Sequence, residues 1–410
     1  MLAAFDAMWG QLSPVGLAGS GGYRRFAWTR TDHDLREWFA GECASRGLDL
    51  VEDRAGNQWA WWGDPDAAGD DPHTAGVVVG SHLDSVPDGG AFDGPLGVVS
   101  ALAAVDALRA RGHRPARPVG VVNFVDEEGA RFGIACAGSR VITGALAPER
   151  ALALSDADGV TMAEALERAG RDPARLGPDP ETLARVGTFV ELHVEQGRAL
   201  ADADRFDQAD SAVAVGSDIW PHGRWRLDVP GTANHAGTTR LEDRDDAMLA
   251  FAQLVVEARR SAHDRECVAT MGKVAVTPNG VNAIPSHVTA WLDARGADEA
   301  AVRHVVADLH EATVGRGGRL TEESWTGTTR FDADLVDRLA SALGPRTPVL
   351  GTGAGHDAGI LATAGIPSAM LFVRNPTGVS HSPSEQAETA DCHAGVRALT
   401  DVLVDLTSAR

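Results

Sequence analysis

The chain has 410 residues, with 37 Lys and Arg against 58 Asp and Glu, and its formal net charge is −21 at pH 7. A surface this acidic repels nucleic acids and anionic membranes, so the composition argues against either kind of partner and favours a soluble protein. At this length we expect two domains, each large enough to bury its own core.

The first 216 residues have the pattern of an α/β domain. Apolar, β-branched runs predict buried strands at 76–82, 119–125 and 188–194. They alternate with amphipathic helical patterns, as in a helix-flanked, largely parallel sheet.

Each of these predicted strands carries metal-binding side chains near its carboxyl end. His82 ends the first, Glu127 and Glu128 follow the second, and His193 lies on the third. Open α/β sheets place their chemistry at this edge. A solvated acidic turn and an ordinary core histidine are the alternatives, but two adjacent carboxylates after a buried strand would need a cation to balance them.

Two further candidates lie in loop-like contexts. Asp93 occurs in GGAFDG, where glycines allow close approach to a ligand, and His381 occurs in GVSHSPSE. The combined set of imidazoles and carboxylates is typical of a two-metal hydrolase. Such ligands suit zinc, manganese, cobalt or nickel, and two ions roughly 3.5–4 Å apart can activate water at neutral pH.

The hydrophobic pattern of the sequence changes at residues 217–330, which predicts a second domain. Half-exposed strand patterns and two amphipathic helices, at 246–263 and 298–315, give a β-α-β-β-α-β order on an antiparallel sheet, as in ferredoxin-like folds. The α/β pattern then resumes at 331–410. We therefore predict an α+β insertion within a catalytic domain of residues 1–216 and 331–410.

Within the first domain, residues 171–182 are rich in Pro and Asp, which predicts a surface loop.

The remaining compositional signals concern the compartment. The four cysteines lie far apart with no CxxC spacing, which favours reduced thiols over disulfides. No basic segment precedes Arg24, and no run approaches 18 apolar residues. We expect a cytoplasmic protein.

Together these motifs resemble the hydantoinase/carbamoylase branch of amidases, which belongs with the aminoacylases and di-zinc carboxypeptidases. That branch includes N-carbamoyl-L-amino-acid hydrolases, allantoate amidohydrolases and β-ureidopropionases. The resemblance spans nearly the whole chain and continues through GGYRRFAWTRTD (21–32), NHAGTT (234–239), NGVNAIP (279–285), LDAR (292–295), GAGHDA (353–358) and SHSPSE (380–385).

The resemblance implies a role for each metal-site residue. The assignments are His82 and His193 as terminal ligands of one metal, Glu128 and His381 as those of the other, Asp93 as the bridge, Glu127 as the catalytic base and Asp84 as the acid that orients the His82 imidazole. The cofactor would be two divalent ions per chain.

The resemblance also implies substrate contacts. His235, in a turn that we expect to lie near a helix N-terminus, would stabilise an oxyanion, although it could equally cap local backbone. Gln196 would favour a ureido group, and Gly355 and His356 would line the pocket. Arg295 would grip a substrate carboxylate with help from Asn282; a surface salt bridge and a turn are the respective alternatives.

The implied reaction is hydrolysis of a linear ureido or N-carbamoyl amide of a small carboxylated substrate, with release of ammonia and carbon dioxide. N-carbamoyl-L-amino acids, allantoate and N-carbamoyl-β-alanine stay open as substrates. An aminopeptidase or aminoacylase, and a metal-containing protein without activity, are more remote alternatives. The family also implies a homodimer through the inserted domain, with His235 serving the partner's site.

Overall fold

A computed structural model describes residues 2–67, 74–202 and 212–409. The chain divides into two compact units, Met1–Ser217 with Arg330–Arg410 (unit 1) and Asp218–Thr329 (unit 2). The helices are α1 Leu2–Leu12, α2 Arg30–Ser45, α3 Pro95–Ala110, α4 Ala137–Ile142, α5 Pro148–Leu152, α6 Met162–Arg168, α7 Pro180–Ala184, α8 Ala247–His263, α9 Glu299–Val314, α10 Ala333–Leu343, α11 Asp357–Thr363 and α12 Thr389–Thr407.

The strands are β1 Asp49–Glu52, β2 Gln58–Trp62, β3 Gly76–His82, β4 Val119–Phe124, β5 Val186–Val194, β6 Val213–Ile219, β7 His222–Pro230, β8 Asn234–His235, β9 Val268–Thr277, β10 Ala283–Ile284, β11 His287–Arg295, β12 Arg319–Thr326, β13 Thr329–Arg330, β14 Val349–Thr352 and β15 Ser368–Val373. Among the described residues, none of the helices has the length and apolarity needed to cross a membrane.

Unit 1 is built on a mixed sheet whose centre is parallel. Its order is β1-β2-β4-β3-β5-β15-β6-β13, with β14 paired to β6. The pairs β3/β4, β3/β5 and β5/β15 are parallel, whereas the flanking pairs β1/β2, β2/β4 and β6/β15 are antiparallel. Every residue of β3, β4, β5 and β15 is buried, which is why these strands read as continuous apolar runs.

Helix α3 packs directly on this central sheet. A Cβ added at Gly97 would lie 2.2 Å from the carbonyl oxygen of Leu192 in β5, so only glycine allows the helix so close to the strand. The predicted α/β architecture with helices flanking the sheet is confirmed.

Unit 2 has a four-stranded antiparallel sheet of order β12-β7-β11-β9. Along the chain its elements run β7, α8, β9, β11, α9, β12, which is the predicted β-α-β-β-α-β order. Buried residues alternate along β11, and Leu292 from that strand joins Leu254 of α8 and Leu309 of α9 in one apolar core.

The segment predicted as a surface loop, residues 171–182, is a loop as far as Asp179 and contains a 3-10 turn at Pro173–Arg175. Its last residues belong to α7, which begins at Pro180. The Asp179 side chain accepts a hydrogen bond from the backbone N–H of Thr182 and caps this helix. The Pro and Asp residues that suggested a loop are therefore helix-start signals.

Candidate metal centre and active site

The parallel strands of unit 1 bring the predicted metal ligands to one edge of the sheet. His82 is the last residue of β3, and it lies beside Phe124, the last residue of β4. His193 lies one residue before the end of β5, beside Phe372 of β15. Since these strands run in the same direction, the acids after β4 and the loop after β15 emerge at the same edge.

Two clusters of candidate ligands form there, and they share Asp93. One contains His82, Asp93 and His193; the other contains Asp93, Glu128 and His381. The two oxygens of Asp93 face different clusters: Oδ1 lies 3.6 Å from His82 Nε2 and 3.1 Å from His193 Nε2, whereas Oδ2 lies 3.4 Å from His381 Nε2. Glu128 Oε2 lies 3.5 Å from His381 Nε2. Asp93 is therefore the one residue that both candidate clusters share.

The donor atoms fit divalent metal ions. Ligands held about 2.1 Å from a tetrahedral ion lie roughly 3.4 Å from one another, close to these separations. The Nδ1 atoms of His82 and His193 are engaged with the backbone carbonyls of Asp84 and Val194, at 3.1 Å and 2.9 Å. Their Nε2 atoms are buried and face Asp93, but in the part of the chain that the structure describes they make no hydrogen bond of regular geometry. Such pre-oriented lone pairs are what a metal requires.

The charge balance of the cluster also calls for cations. Burial, together with the nearby Asp93, raises the pKa of Glu128 to about 7. The contact with Asp93 raises the pKa of His381 to about 9. Carboxylates crowded in a buried site resist ionisation unless positive charge compensates them, and two divalent ions would do so.

Glu127 is placed to act on a molecule at this centre. It is 5% exposed, and its Oε2 lies 3.7 Å from His82 Nε2. Burial raises the pKa of Glu127 well above its usual range, whereas the His82 charge opposes that shift. A buried carboxyl group that holds its proton more tightly in this way suits proton transfer to and from a bound molecule.

Asp84 lies against both the His82 ring and the backbone that follows β4. Its carboxylate accepts hydrogen bonds from the backbone N–H groups of Glu127 and Glu128, at 3.1 Å and 3.0 Å. The His82 ring is engaged by the Asp84 backbone carbonyl, while the carboxylate Oδ1 lies farther away, at 3.5 Å. The Asp84 side chain therefore fixes the segment that carries the base and a ligand.

Gln196 and His356 lie beside the clusters in unit 1. Gln196 Nε2 donates to Asp93 Oδ2 at 2.9 Å and lies 3.3 Å from His381 Nε2. His356 is buried next to His193, with ring centroids 4.5 Å apart, and burial lowers the pKa of His356 well below its usual range. This shift favours the neutral form of the His356 imidazole. Gly355, the residue before it, is exposed.

One neighbour of the base was not predicted. The Cys136 thiol donates to Glu127 Oε1 at 3.4 Å, and the cysteine has a left-handed backbone with φ of 54°. No sequence pattern identifies this contact, because it depends on the turn that leads into α4.

His235 and Asn282 lie together in unit 2. The short strands β8 and β10 pair His235 with Ala283, and Ala236 N–H donates to the Asn282 carbonyl. Both residues are exposed. His235 is not at a helix N-terminus as we predicted, because α8 begins only at Ala247. Its Nδ1 accepts from Gly237 N–H, which leaves Nε2–H as a donor in the neutral ring.

Arg295 lies at the end of β11 that is farther from Asn282. In the pairing of β11 with β7, Arg295 is opposite His222, and His287 at the other end is opposite Pro230. The same two chain segments pair again beyond His287, where Ala283 is opposite His235. The eight residue steps from His287 to Arg295 alone span about 26 Å. Arg295 and Asn282 of one chain therefore cannot hold the same carboxylate.

Comparison with known proteins gives consistent results. A family model described as peptidase family M20/M25/M40 matches residues 78–405. An N-carbamoyl-L-amino acid amidohydrolase of Geobacillus stearothermophilus is 36% identical over 411 residues, with 96% of each chain covered. The allantoate amidohydrolase of Escherichia coli K12 is 31% identical, with 96% of this chain and 95% of the relative covered.

Solved structures agree with these matches. An amidase of the hydantoinase/carbamoylase family from Burkholderia vietnamiensis has a TM-score of 0.84 at 28% identity, with 100% of this chain and 98% of that chain covered.

Proposed function

This chain belongs to peptidase family M20/M25/M40 and, within it, to the hydantoinase/carbamoylase amidases, and from that premise we propose that it hydrolyses N-carbamoyl-L-amino acids. It is a hydrolase of carbon–nitrogen bonds other than peptide bonds. The products would be ammonia, carbon dioxide and the free amino acid. The observation that carries the proposal is Asp93, whose two oxygens face two separate ligand clusters beside Glu127.

We assign His82 and His193 to one ion and Glu128 and His381 to the other, with Asp93 between them. When bound, two divalent ions supply Lewis acidity towards the substrate carbonyl and make water nucleophilic near neutral pH. Neutral imidazoles with carboxylates suit zinc, manganese, cobalt or nickel equally.

In this proposal Glu127 moves the proton. It takes a proton from the attacking water and returns it to the leaving nitrogen, a role that typically contributes about 100-fold to 10,000-fold. Asp84 supports that role by holding the backbone of Glu127, and the Cys136 thiol contacts its carboxylate. The burial of Glu127 keeps bulk water from competing for the proton.

The substrate is a small carboxylated ureido compound. Gln196, with its amide beside Asp93, is assigned to the ureido group. His356 and Gly355 line the same pocket, and a neutral His356 could donate to the developing oxyanion. Because Asn282 and Arg295 lie at opposite ends of unit 2, one substrate would meet Asn282 of one chain and Arg295 of another.

A homodimer through unit 2 provides such an arrangement. Strand β9 is at the edge of the four-stranded sheet, and its residues Val268 and Val274 are both exposed. The neighbouring helix α8 exposes Leu249 and Val256. An edge strand flanked by exposed apolar side chains suits pairing with a second copy of the chain. His235 would then serve the partner's site.

Allantoate remains a second candidate substrate, because an allantoate amidohydrolase is 31% identical over nearly the whole chain. Ammonia release should be measured with N-carbamoyl-L-amino acids, allantoate, N-carbamoyl-β-alanine and dipeptides at equal concentration. We expect the highest kcat/KM with an N-carbamoyl-L-amino acid. A preference for allantoate would make the protein an allantoate amidohydrolase of the same family. Cleavage of dipeptides alone would refute the proposed activity.

A further inference from the structure

The SHSPSE segment contains one acidic residue, Glu385, to which no role has been assigned above. Glu385 follows His381 by four residues and precedes α12. Its side chain is buried, with 4% exposure, although the residues on both sides of it are exposed. A carboxylate held inside an otherwise exposed turn needs hydrogen-bond donors.

The donors come from the two loops that carry metal ligands. Glu385 Oε1 accepts the backbone N–H groups of Phe92 and Asp93, at 2.9 Å and 3.1 Å. Its Oε2 accepts the hydroxyl of Ser380, at 3.0 Å. One carboxylate thus joins the backbone of the shared ligand Asp93 to the residue that immediately precedes His381.

The loop around Asp93 is shaped to admit this carboxylate. A Cβ added at Gly90 would lie 2.3 Å from Glu385 Oε1 and 2.4 Å from its Cβ. Any other residue at position 90 would therefore push Glu385 away. Gly90 of the GGAFDG motif is therefore explained by the approach of Glu385 rather than by a metal.

The His381 loop needs such a support. The His381 side chain is 51% exposed, so burial does not fix it. Its backbone is in the left-handed region, with φ of 55°, a conformation that persists only when surrounding contacts hold it. Asp93, by contrast, is buried. Tying the exposed loop to the buried one restricts where the His381 ring can go.

We propose that Glu385 is a positioning residue that holds Asp93 and His381 in register, and so sets the affinity of the ion assigned to Asp93, Glu128 and His381. This proposal rests on the metal assignment above. Glu385 reduces the conformational entropy that the two loops lose when an ion binds. Residues that support metal ligands in this way typically change metal affinity by about 10- to 100-fold.

The test compares Glu385→Ala with Glu385→Gln. Alanine removes all three hydrogen bonds, whereas the glutamine oxygen can still accept from both backbone N–H groups and its amide can donate to the Ser380 oxygen. We expect Glu385→Ala to raise the dissociation constant of one of two zinc ions by about 10- to 100-fold, measured by chelator competition. Glu385→Gln should stay within about threefold of the unchanged protein by the same principle.

Glu388→Ala is the matched control. Glu388 is exposed and its side chain makes no capping hydrogen bond to α12, so both zinc affinities should be unchanged. Gly90→Ala offers a second route to the same loss, should Glu385→Ala fold poorly. Circular dichroism of the metal-free proteins identifies any variant that has lost its fold.

A spectroscopic measurement separates positioning from general destabilisation. In manganese-loaded protein, two ions joined by Asp93 give an exchange-coupled EPR signal; we expect Glu385→Ala to show isolated manganese instead, and Glu385→Gln to keep the coupled signal. Unchanged affinities and an unchanged signal in a folded Glu385→Ala protein would overturn the proposal. Equal loss in the Gln variant would overturn it too, because charge rather than hydrogen bonding would then matter. If the unchanged protein binds no pair of ions, the metal assignment itself fails.

Discussion

The guanidinium group of Arg295 is held by the carboxylate of Asp293, with Nε donating to Oδ1 at 2.6 Å and Nη2 donating to Oδ2 at 2.9 Å. This is the fork-to-carboxylate geometry that a substrate carboxylate would use. The pair raises the pKa of Arg295 and, against the effect of burial, lowers that of Asp293. A substrate that binds here must therefore share or replace the Asp293 contact.

Arg295→Lys tests whether that happens. A lysine ammonium cannot reproduce two parallel hydrogen bonds, so we expect kcat/KM for a carboxylated substrate to fall by roughly 10- to 100-fold, with metal content unchanged. Arg226→Lys is the control, since Arg226 is exposed on the same sheet and pairs with Asp228. If both variants keep full kcat/KM, Arg295 only forms a surface salt bridge.

Metal content tests the two clusters. Protein loaded with zinc, manganese or cobalt should hold close to two ions per chain, because the described residues offer two ligand clusters that share Asp93. Chelation should abolish turnover, and added metal should restore it. Elemental analysis that finds one ion at most in fully active protein would contradict the shared-ligand arrangement.

Glu127 and Glu128 are adjacent, but their substitution should have different effects on catalysis and on metal binding. Glu127→Gln should keep both ions while kcat falls by about 100-fold to 10,000-fold, because only proton transfer is lost. Glu128→Gln should weaken metal binding itself, since Glu128 faces His381. Both variants need metal analysis beside kinetics. Indistinguishable behaviour would mean that the two roles are misassigned.

The candidate ligand clusters could be predicted because the positions of their histidines depend on strand register. His82 and His193 lie on buried parallel strands, and parallel strands bring their carboxyl ends to one edge whatever the loops do. The contacts of the Asp84 carboxylate with the backbone of Glu127 and Glu128 were not predicted, because a sequence does not reveal every donor that an acid meets. The Cys136 contact depends on one left-handed residue, and no residue pattern encodes it.

The residues of unit 2 that we propose to bind substrate show a different limit. The sequence places Asn282 and Arg295 thirteen positions apart, a spacing that does not separate a tight turn from an extended strand. The structure puts β11 between them, so they lie at opposite ends of the sheet. Which chain each residue serves is decided by assembly, and a single sequence contains no direct signal of that.

Asp32 predicts a pH dependence of stability. Burial raises the pKa of Asp32 to about 6, whereas the unfolded value is about 4. The folded state therefore binds the Asp32 proton more tightly than the unfolded state does. This tighter binding stabilises the folded protein at low pH, and the stabilisation is lost as pH rises through 6. The loss between pH 5 and pH 7 should be about 1 kcal/mol.

Asp32→Asn mimics the protonated acid and tests that sign. Its oxygen can still accept from Trp28 N–H, as Asp32 Oδ2 does at 2.9 Å. The free energy of unfolding of the metal-free variant, measured with urea from pH 5 to pH 7, should fall less with rising pH than that of the unchanged protein. Parallel pH curves for the two proteins would mean that Asp32 is ionised throughout.

Subunit mixing tests whether His235 acts in the partner's site. Glu127→Gln and His235→Ala chains should each be inactive alone. After exchange, half of the randomly formed dimers are mixed, and each mixed dimer has one site with both residues intact if His235 comes from the partner. Activity should therefore recover to roughly a quarter of the unchanged level.

The control for subunit mixing is the double variant Glu127→Gln/His235→Ala, which has both changes in one chain, exchanged with the unchanged protein. If His235 acts in the partner's site, each of its mixed dimers has one site that lacks Glu127 and another that lacks His235. Activity should then fall to roughly a quarter, the share of fully unchanged dimers, whereas a site completed within one chain would leave about half. The two mixtures thus give opposite signatures. Failure of the first to recover, with the second at half activity and exchange demonstrated by mass-tagged chains, would place His235 in its own chain's site.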